Sequence, residues 1–293
     1  MPVPEAMTRA QWERRFEAFV ARKERQARDA RIEGLLTLED RASDLALNAL
    51  GTPWTLACFD GPFYWSPRAD GRSVNLVFVR SREGNTVAEN PSALGGGETD
   101  KHLIYEGLSR VHADAVLSGA GTVAGTSLIF SAWHPELVGL RQSLGKPRHP
   151  AQIVVSGGRS LTIDRELIFN APEVPCILVT SDGGAASYAD RLRQRPWVQL
   201  VTTGAALDMR RALDTLARDH GLRIISCIGG RATAGPLLEA GLVQDLYLTT
   251  SPLSGGTPDT ALPVDPARRR LVLRKGGRGR ESGVLFEHFR LDA

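Results

Sequence analysis

Four short apolar runs in this chain end in the same kind of chemistry. Ala115 to Leu117 runs into Ser118, Gly119, Ala120, Gly121 and Thr122, and Ile153 to Val155 into Ser156, Gly157, Gly158 and Arg159. Ile177 to Val179 runs into Thr180, Ser181, Asp182, Gly183 and Gly184, and Arg223 to Cys227 into Ile228, Gly229, Gly230 and Arg231. Glycine removes the Cβ that would hold a ligand off the backbone, and a helix starting just after such a turn offers free N–H groups to an anion. A single turn of this kind is an ordinary strand-to-helix connection. Four in series point to a nucleotide or another phosphorylated ligand across the strand ends, because in an open parallel sheet those ends share one edge.

Sharper motifs are missing. Gly139 to Lys146 has five residues between its glycines, and Pro147 stands where a phosphate-binding loop carries its magnesium-binding Ser or Thr. No G-x-G-x-x-G follows the first strand, no G-x-S-x-G elbow is present, and the deaminase H-x-E with P-C-x-x-C is absent. Cys58, Cys176 and Cys227 lack C-x-x-C spacing and read as reduced core thiols, with no disulfide framework and no metal site expected. His102 and His112 stand ten residues apart on one expected helix, and His134 and His149 in a Pro-rich loop, so surface or structural roles are expected for them.

The elements that must hold these turns follow from periodicity. Residues 8–31 carry Trp12, Phe16, Phe19 and Val20 at helical spacing, which predicts one amphipathic helix packed on the core or on a partner subunit. Residues 51–73 read as a loop, and the main domain is expected from Val74 onward, giving an N-terminal extension (1–73) and a domain (74–293). Within that domain Val74–Val79, Ala115–Leu117, Ile153–Val155, Ile177–Val179, Val198–Val201, Arg223–Cys227 and Asp245–Thr250 read as strands. Asp100–His112, Tyr188–Arg195, Asp208–His220 and Ala234–Ala240 read as the intervening helices. The alternation predicts an α/β fold with a mostly parallel sheet flanked by helices. A C-terminal antiparallel edge hairpin is expected from Leu271–Arg274 and Gly283–Phe289, joined by Gly276, Gly277 and Gly279.

Composition sets the outer limits. The 293 residues are 42% hydrophobic and 24% charged, ordinary for a globular chain with a sizeable core. No run approaches the ~18 apolar residues of a membrane span, and Trp12, Glu13 and Glu17 interrupt the start, so a cytoplasmic protein without membrane contact is expected. The net charge of +3 is carried mostly by Arg, clustered only at Arg268–Arg270 and Arg274–Arg280, which reads as a solvated hairpin and not a nucleic-acid surface.

Two segments carry a resemblance. Asp114 to Val123, DAVLSGAGTV, and Ile224 to Gly256, IISCIGGRATAGPLLEAGLVQDLYLTTSPLSGG, resemble the reductase domain of bacterial riboflavin biosynthesis, within the dihydrofolate-reductase-like superfamily, over roughly Val74 to Phe289. That resemblance implies a homodimeric NADPH-dependent oxidoreductase acting on a small heterocycle such as 5-amino-6-(5-phosphoribosylamino)uracil. It places Gly119, Gly121 and Thr122 along the cofactor, and Ile228, Gly229 and Gly230 with Arg231, Ala232 and Thr233 at the pyrophosphate. Ser156, Gly157 and Arg159 would meet the adenosine 2′-phosphate, where a guanidinium gives a bidentate contact, and Thr180 and Ser181 would border the adenine.

On the substrate side the chain departs from the family pattern. Ser81 to Thr86 (SREGNT) stands where a Ser-x-Asp-Gly-Lys-type segment is usual, Ile228 replaces the Glu before the double glycine, and Ala124 to Leu128 replaces Asp-Asp-Pro. Ser81, Asn85, Thr86, Arg110, Thr126 and Leu128 are the expected substrate contacts, and Glu83, Asp100 and Lys101 the candidates to deliver a proton or hold the substrate. Reductase of a different pterin, imine or carbonyl substrate, or a non-catalytic nucleotide-binding protein that kept only the cofactor groove, are the alternatives these departures raise.

Overall fold

The structure is a computed structural model, and it describes residues 7–42, 47–65, 70–88, 94–157, 161–262 and 271–291. Its strands are β1 (Leu35–Asp40), β2 (Asn48–Leu50), β3 (Phe63–Trp65), β4 (Ser73–Arg80), β5 (Ala115–Gly119), β6 (Ala151–Ser156), β7 (Cys176–Thr180), β8 (Val198–Thr202), β9 (Ile224–Cys227), β10 (Asp245–Thr250), β11 (Leu271–Gly279) and β12 (Leu285–Leu291). The helices are α1 (Arg9–Arg28), α2 (Pro53–Phe59), α3 (Gly97–Thr99), α4 (Ala120–Val123), α5 (Pro135–Ser143), α6 (Asp182–Arg193), α7 (Met209–Asp219) and α8 (Arg231–Glu239). A π-helix, Asp100–Leu108, continues α3.

Ten strands form one sheet in the order β1-β11-β12-β10-β4-β9-β5-β6-β7-β8. From β10 to β8 every neighbouring pair is parallel, and β10-β12, β12-β11 and β11-β1 are antiparallel. All residues of β5, β6 and β7 are buried, as befits parallel strands covered on both faces. The pleat divides them between two cores. Ile153, Val155, Ile177 and Val179 pack with Met209, Leu213 and Leu216 of α7 and Leu237 and Leu238 of α8. Val154, Cys176 and Leu178 pack with Trp12, Phe16 and Phe19 of α1 and Tyr188 of α6. The apolar stripe of α1 is therefore spent on its own chain's core, after a start fixed by the Thr8–Gln11 capping box.

Three sequence expectations need correction. Residues 51–73 are not simply loop: Thr52 caps α2 with Pro53 in its first turn, and β3 pairs with β2. Upstream of them, β1 belongs to the main sheet and pairs outside the C-terminal hairpin on β11. Gly276, Gly277 and Gly279 do not form the hairpin turn; Gly276 and Gly277 pair with both β1 and β12. The turn falls at Arg280–Val284, where Gly283 takes the left-handed φ of 70° that favours glycine. Among the described residues no helix is long and apolar enough to cross a membrane.

Candidate functional site

Two clefts open along the carboxyl ends of the parallel strands. The first, about 490 Å³, is lined by Gly119–Thr122 after β5, Gly157 after β6, and Gly230–Thr233 at the start of α8, with Val87, Leu207 and Met209 beside them. Its glycines do two different jobs. A Cβ on Gly119 would lie 2.5 Å from Thr233 Oγ1, and one on Gly229 would lie 2.7 Å from Thr233 Cβ, so these two let α8 approach the strand ends. At Gly230 a Cβ would have nothing within 4 Å. Gly230 is also the N-cap of α8, with no side chain capping it, so the first turn keeps N–H groups for a ligand.

Several expected cofactor contacts are placed elsewhere. Ser156 and Thr180 are fully buried, with Ser156 Oγ 3.1 Å from the Tyr188 hydroxyl and Thr180 Oγ1 donating to Ser156 O at 2.8 Å. Both are last residues of strands paired side by side, and the pleat turns their hydroxyls into the layer. Ser181 Oγ accepts from Gly184 N at 3.2 Å as the cap of α6. Ile228 packs beneath the antiparallel half of the sheet. Arg159 lies outside the described residues.

The second cleft, about 400 Å³, is lined by Val79 at the end of β4, Gly96–Glu98, Asp100, Lys101, Tyr105, Glu106 and Arg110, with Leu128–Phe130, Trp133 and Lys23 of α1 completing the wall. Asp100 is buried and accepts from Thr249 Oγ1, which sits beside Val79 in the β10-β4 register. Burial pushes its carboxyl up to about 7, because a low-dielectric site disfavours the charged form. The turn above it is built from glycine: Gly95 and Gly97 have φ of 86° and 61°, and a Cβ on Gly96 would lie 2.5 Å from Asp100 Oδ2. Burial also lowers Arg110 to about 10 and raises the Tyr105 hydroxyl above its usual range.

Arg110 Nη1 donates to Ser131 O at 2.9 Å, its guanidinium lies 5.9 Å from the Phe130 ring centroid, and its buried Nε has no partner among the described residues. The carboxylates of this cleft are already engaged. Glu106 accepts from Trp133 N at 2.8 Å, and His102 bridges Glu106 and Glu98 at 3.1 Å to each. Lys101 Nζ donates to Glu98 at 2.8 Å.

Glu83 lies in neither cleft. It is exposed and accepts from Gly255 N at 3.1 Å, and hydrogen bonds from Ser254, its own backbone and Ser81 hold its carboxyl at about 2. That corrects its candidacy as a proton donor. Asn85 Nδ2 donates to Gly255 O at 2.9 Å and Thr86 Oγ1 to Thr260 O at 2.6 Å, while Ser81 is buried, so the segment is zipped to the 251–260 loop. Thr126 Oγ1 turns back to Val123 O at 2.7 Å. Asp100, Lys101, Arg110 and Leu128 are brought together; Ser81, Glu83, Asn85, Thr86 and Thr126 stand apart from them. Tyr105, Glu106, Phe130, Trp133 and Lys23 were not anticipated, although the run Gly95-Gly96-Gly97 marked a tight turn before Asp100.

Strand β9 lies between β4 and β5, so the two clefts are neighbours on one sheet edge, separated at the end of β9. The fold resembles those of known proteins. A pyrimidine reductase-like protein from Corynebacterium diphtheriae is 20% identical, with 76% of this chain and 93% of that one covered and a TM-score of 0.60. RibD of Acinetobacter baumannii is 13% identical over 76% of this chain and 58% of its own, with a TM-score of 0.55. The riboflavin biosynthesis reductase of Saccharomyces cerevisiae is 15% identical over 78% and 93%, with a TM-score of 0.53. At such identities the likeness is one of fold. No curated protein matches the chain. The model of the RibD C-terminal domain matches residues 84–275, which hold the turns of the first cleft and most of the second, and the chain belongs to the RibD C-terminal domain family.

Proposed function

We propose that the chain is an NADPH-dependent reductase of a small heterocyclic substrate, of the phosphoribosylamino-pyrimidine kind or a related pterin, imine or carbonyl compound. The observation that carries this reading is the pairing of a glycine-floored cleft with a neighbouring cleft that buries a neutralisable acid, Asp100, on one strand-end edge. The residues present fit the dinucleotide: the volume is in the range of cofactor sites, Gly230 leaves its surface open, and the uncapped α8 start suits a pyrophosphate.

Bound there, the cofactor supplies a hydride. The protein's part is position and a proton. Gly119–Thr122 and Gly230–Thr233 hold the dinucleotide against the strand ends. Phe130, Ile129 and Trp133 give the second cleft one apolar wall, and Arg110 and Lys101 orient the substrate. Asp100, titrating near neutrality and anchored by Thr249, delivers the proton that completes reduction of a C=N or C=O bond. Glu83, ionised at neutral pH, takes no part. The proposal includes a homodimer, to be checked by light scattering; Leu36 and Leu38 stand 51% and 54% exposed on the edge strand β1.

The test is a titration with NADPH and NADH in parallel, followed by a screen for substrate-dependent loss of NADPH absorbance. Stabilisation by NADPH together with turnover of one heterocycle supports the reading. No stabilisation by either nucleotide overturns it, and tight binding without turnover of any pyrimidine, pterin or imine favours a non-catalytic nucleotide-binding protein.

A further inference from the structure

One stretch of chain serves both clefts. Gly119–Thr122 lines the first, and Leu128–Phe130 with Trp133 lines the second, so residues 123–127 join the turn of one to the wall of the other. Helix α4 ends at Val123, Gly125 takes a left-handed φ of 70°, and residues 126–130 are neither helix nor strand. A connection of this kind opens easily unless side chains hold it.

It is held at almost every second residue. Gly125 N donates to Glu166 Oε1 at 3.1 Å, Arg15 of α1 donates to Ser127 Oγ, and Phe130 exchanges two hydrogen bonds with the Gln152 side chain at 2.9 and 3.0 Å. Farther on, Arg110 donates to Ser131 O and Trp133 N to Glu106, so the groups that fix the far end line the second cleft themselves. Helix α1 lies under both ends: Trp12, Phe16 and Phe19 share one core cluster with Ala120 and Val123 beside the first cleft and with Ile129 and Trp133 beside the second.

Two of these ties come from residues that line neither cleft. Arg15 belongs to a helix that precedes the family match, which begins at residue 84. Glu166 stands in the loop after β6 and is 1% exposed. A carboxyl is costly to bury, and this one holds the N–H of an exposed turn 41 residues upstream.

We infer that Glu166 and Arg15 are positioning residues, which clamp the 124–128 bridge so that Phe130 and Arg110 in the second cleft keep a fixed offset from Gly119–Thr122 in the first. The inference rests on the proposed function only in calling that offset the one across which a hydride passes. Because a misplacement of about 1 Å costs about a hundredfold in rate, a partly released bridge is expected to cost about tenfold.

The full chain is compared as wild type, Glu166→Ala, Glu166→Gln and Arg15→Met, by amide hydrogen exchange with and without NADPH and by turnover of the heterocycle found in the substrate screen. Gln keeps an acceptor for Gly125 N, and Met keeps an apolar stem beside Trp12 without the donor; Arg15→Met carries the test if Glu166→Ala does not fold. Amides of residues 124–131 should exchange about five- to tenfold faster in Glu166→Ala and Arg15→Met, as for the loss of one hydrogen bond. Strands β6 and β7 should be unchanged, and Glu166→Gln should match the wild type. In the two loosened variants kcat should fall about tenfold, with KM and NADPH affinity within about threefold of wild type. Equal exchange at 124–131 in all chains overturns the inference, as does faster exchange spread evenly over the sheet, or local loosening with kcat unchanged. Local loosening in the variants, with a wild type that neither binds NADPH nor turns over any heterocycle, leaves the clamp standing and removes the reductase reading instead.

Discussion

The two clefts share one edge of one sheet and are built by opposite means. The first is floored by backbone and small residues, with Arg231 as the only ionisable side chain among the described residues of its lining. The second gathers Lys23, Glu98, Asp100, Lys101, Tyr105, Glu106 and Arg110 around a wall of Phe130 and Trp133. A site for a large dinucleotide can rely on N–H groups and close approach, whose geometry the fold itself provides. A site that must orient a small molecule and move a proton needs titratable groups with altered pKa values, and burial is what alters them.

Substitutions can break this division of labour. The largest effect is expected from Asp100→Asn, which keeps an acceptor for Thr249 but removes the acid. Turnover should fall by about a hundredfold, within the span of general acid contributions, with NADPH affinity unchanged. The wild type should lose turnover as pH rises through about 7, the value of the Asp100 carboxyl, and the variant should lose that limb; rate profiles check both. The stability sign follows from the same shift. Because the folded carboxyl is raised from 3.8 to about 7, the folded state holds a proton that the unfolded state has released. Wild-type stability should therefore fall as pH rises between those values and level off above them. Asp100→Asn should flatten that slope in denaturant melts.

Next comes Gly229→Ala. Its Cβ would lie 2.7 Å from Thr233 Cβ, and such overpacking costs about 1–3 kcal/mol, read as a lowered denaturant midpoint. Gly230→Leu sharpens the contrast, because the added side chain meets open cleft. It should weaken NADPH by about tenfold, roughly 1.4 kcal/mol, and lower the unliganded melting temperature only by what a poorer N-cap residue costs, since no packed contact is overfilled. The smallest effect is expected from Glu83→Gln: an exposed group outside both clefts should alter turnover by less than about twofold, in keeping with the near-neutral cost of surface changes.

The same contrast explains what was legible in the sequence. The turns Gly119-Ala120-Gly121-Thr122 and Gly229-Gly230-Arg231 are local signals, since an element and the glycine that follows it are neighbours in the chain. The second cleft joins Lys23, Val79, Asp100, Arg110 and Trp133 from separate elements, and nothing local announces their meeting. Ser156 and Thr180 show a related limit: the family resemblance set them beside the cofactor, while the pleat of β6 and β7 turns their hydroxyls into the protein. Thr52-Pro53 is a local helix start, but it stands among glycine, proline and aromatic residues whose pattern reads as loop. The place of β1 in the main sheet was not readable, since its pairing with β11 spans most of the chain.

The central claim is that the glycine-floored cleft is the dinucleotide half of a two-part reductase site. Thermal unfolding of the wild type and Gly230→Leu, each titrated with NADPH and with NADH, tests it most directly. The account predicts that NADPH at one hundred times its dissociation constant stabilises the wild type by about 2.7 kcal/mol, and that Gly230→Leu needs about tenfold more to reach the same shift. A wild type indifferent to both nucleotides, or a variant that responds as the wild type does, would contradict it.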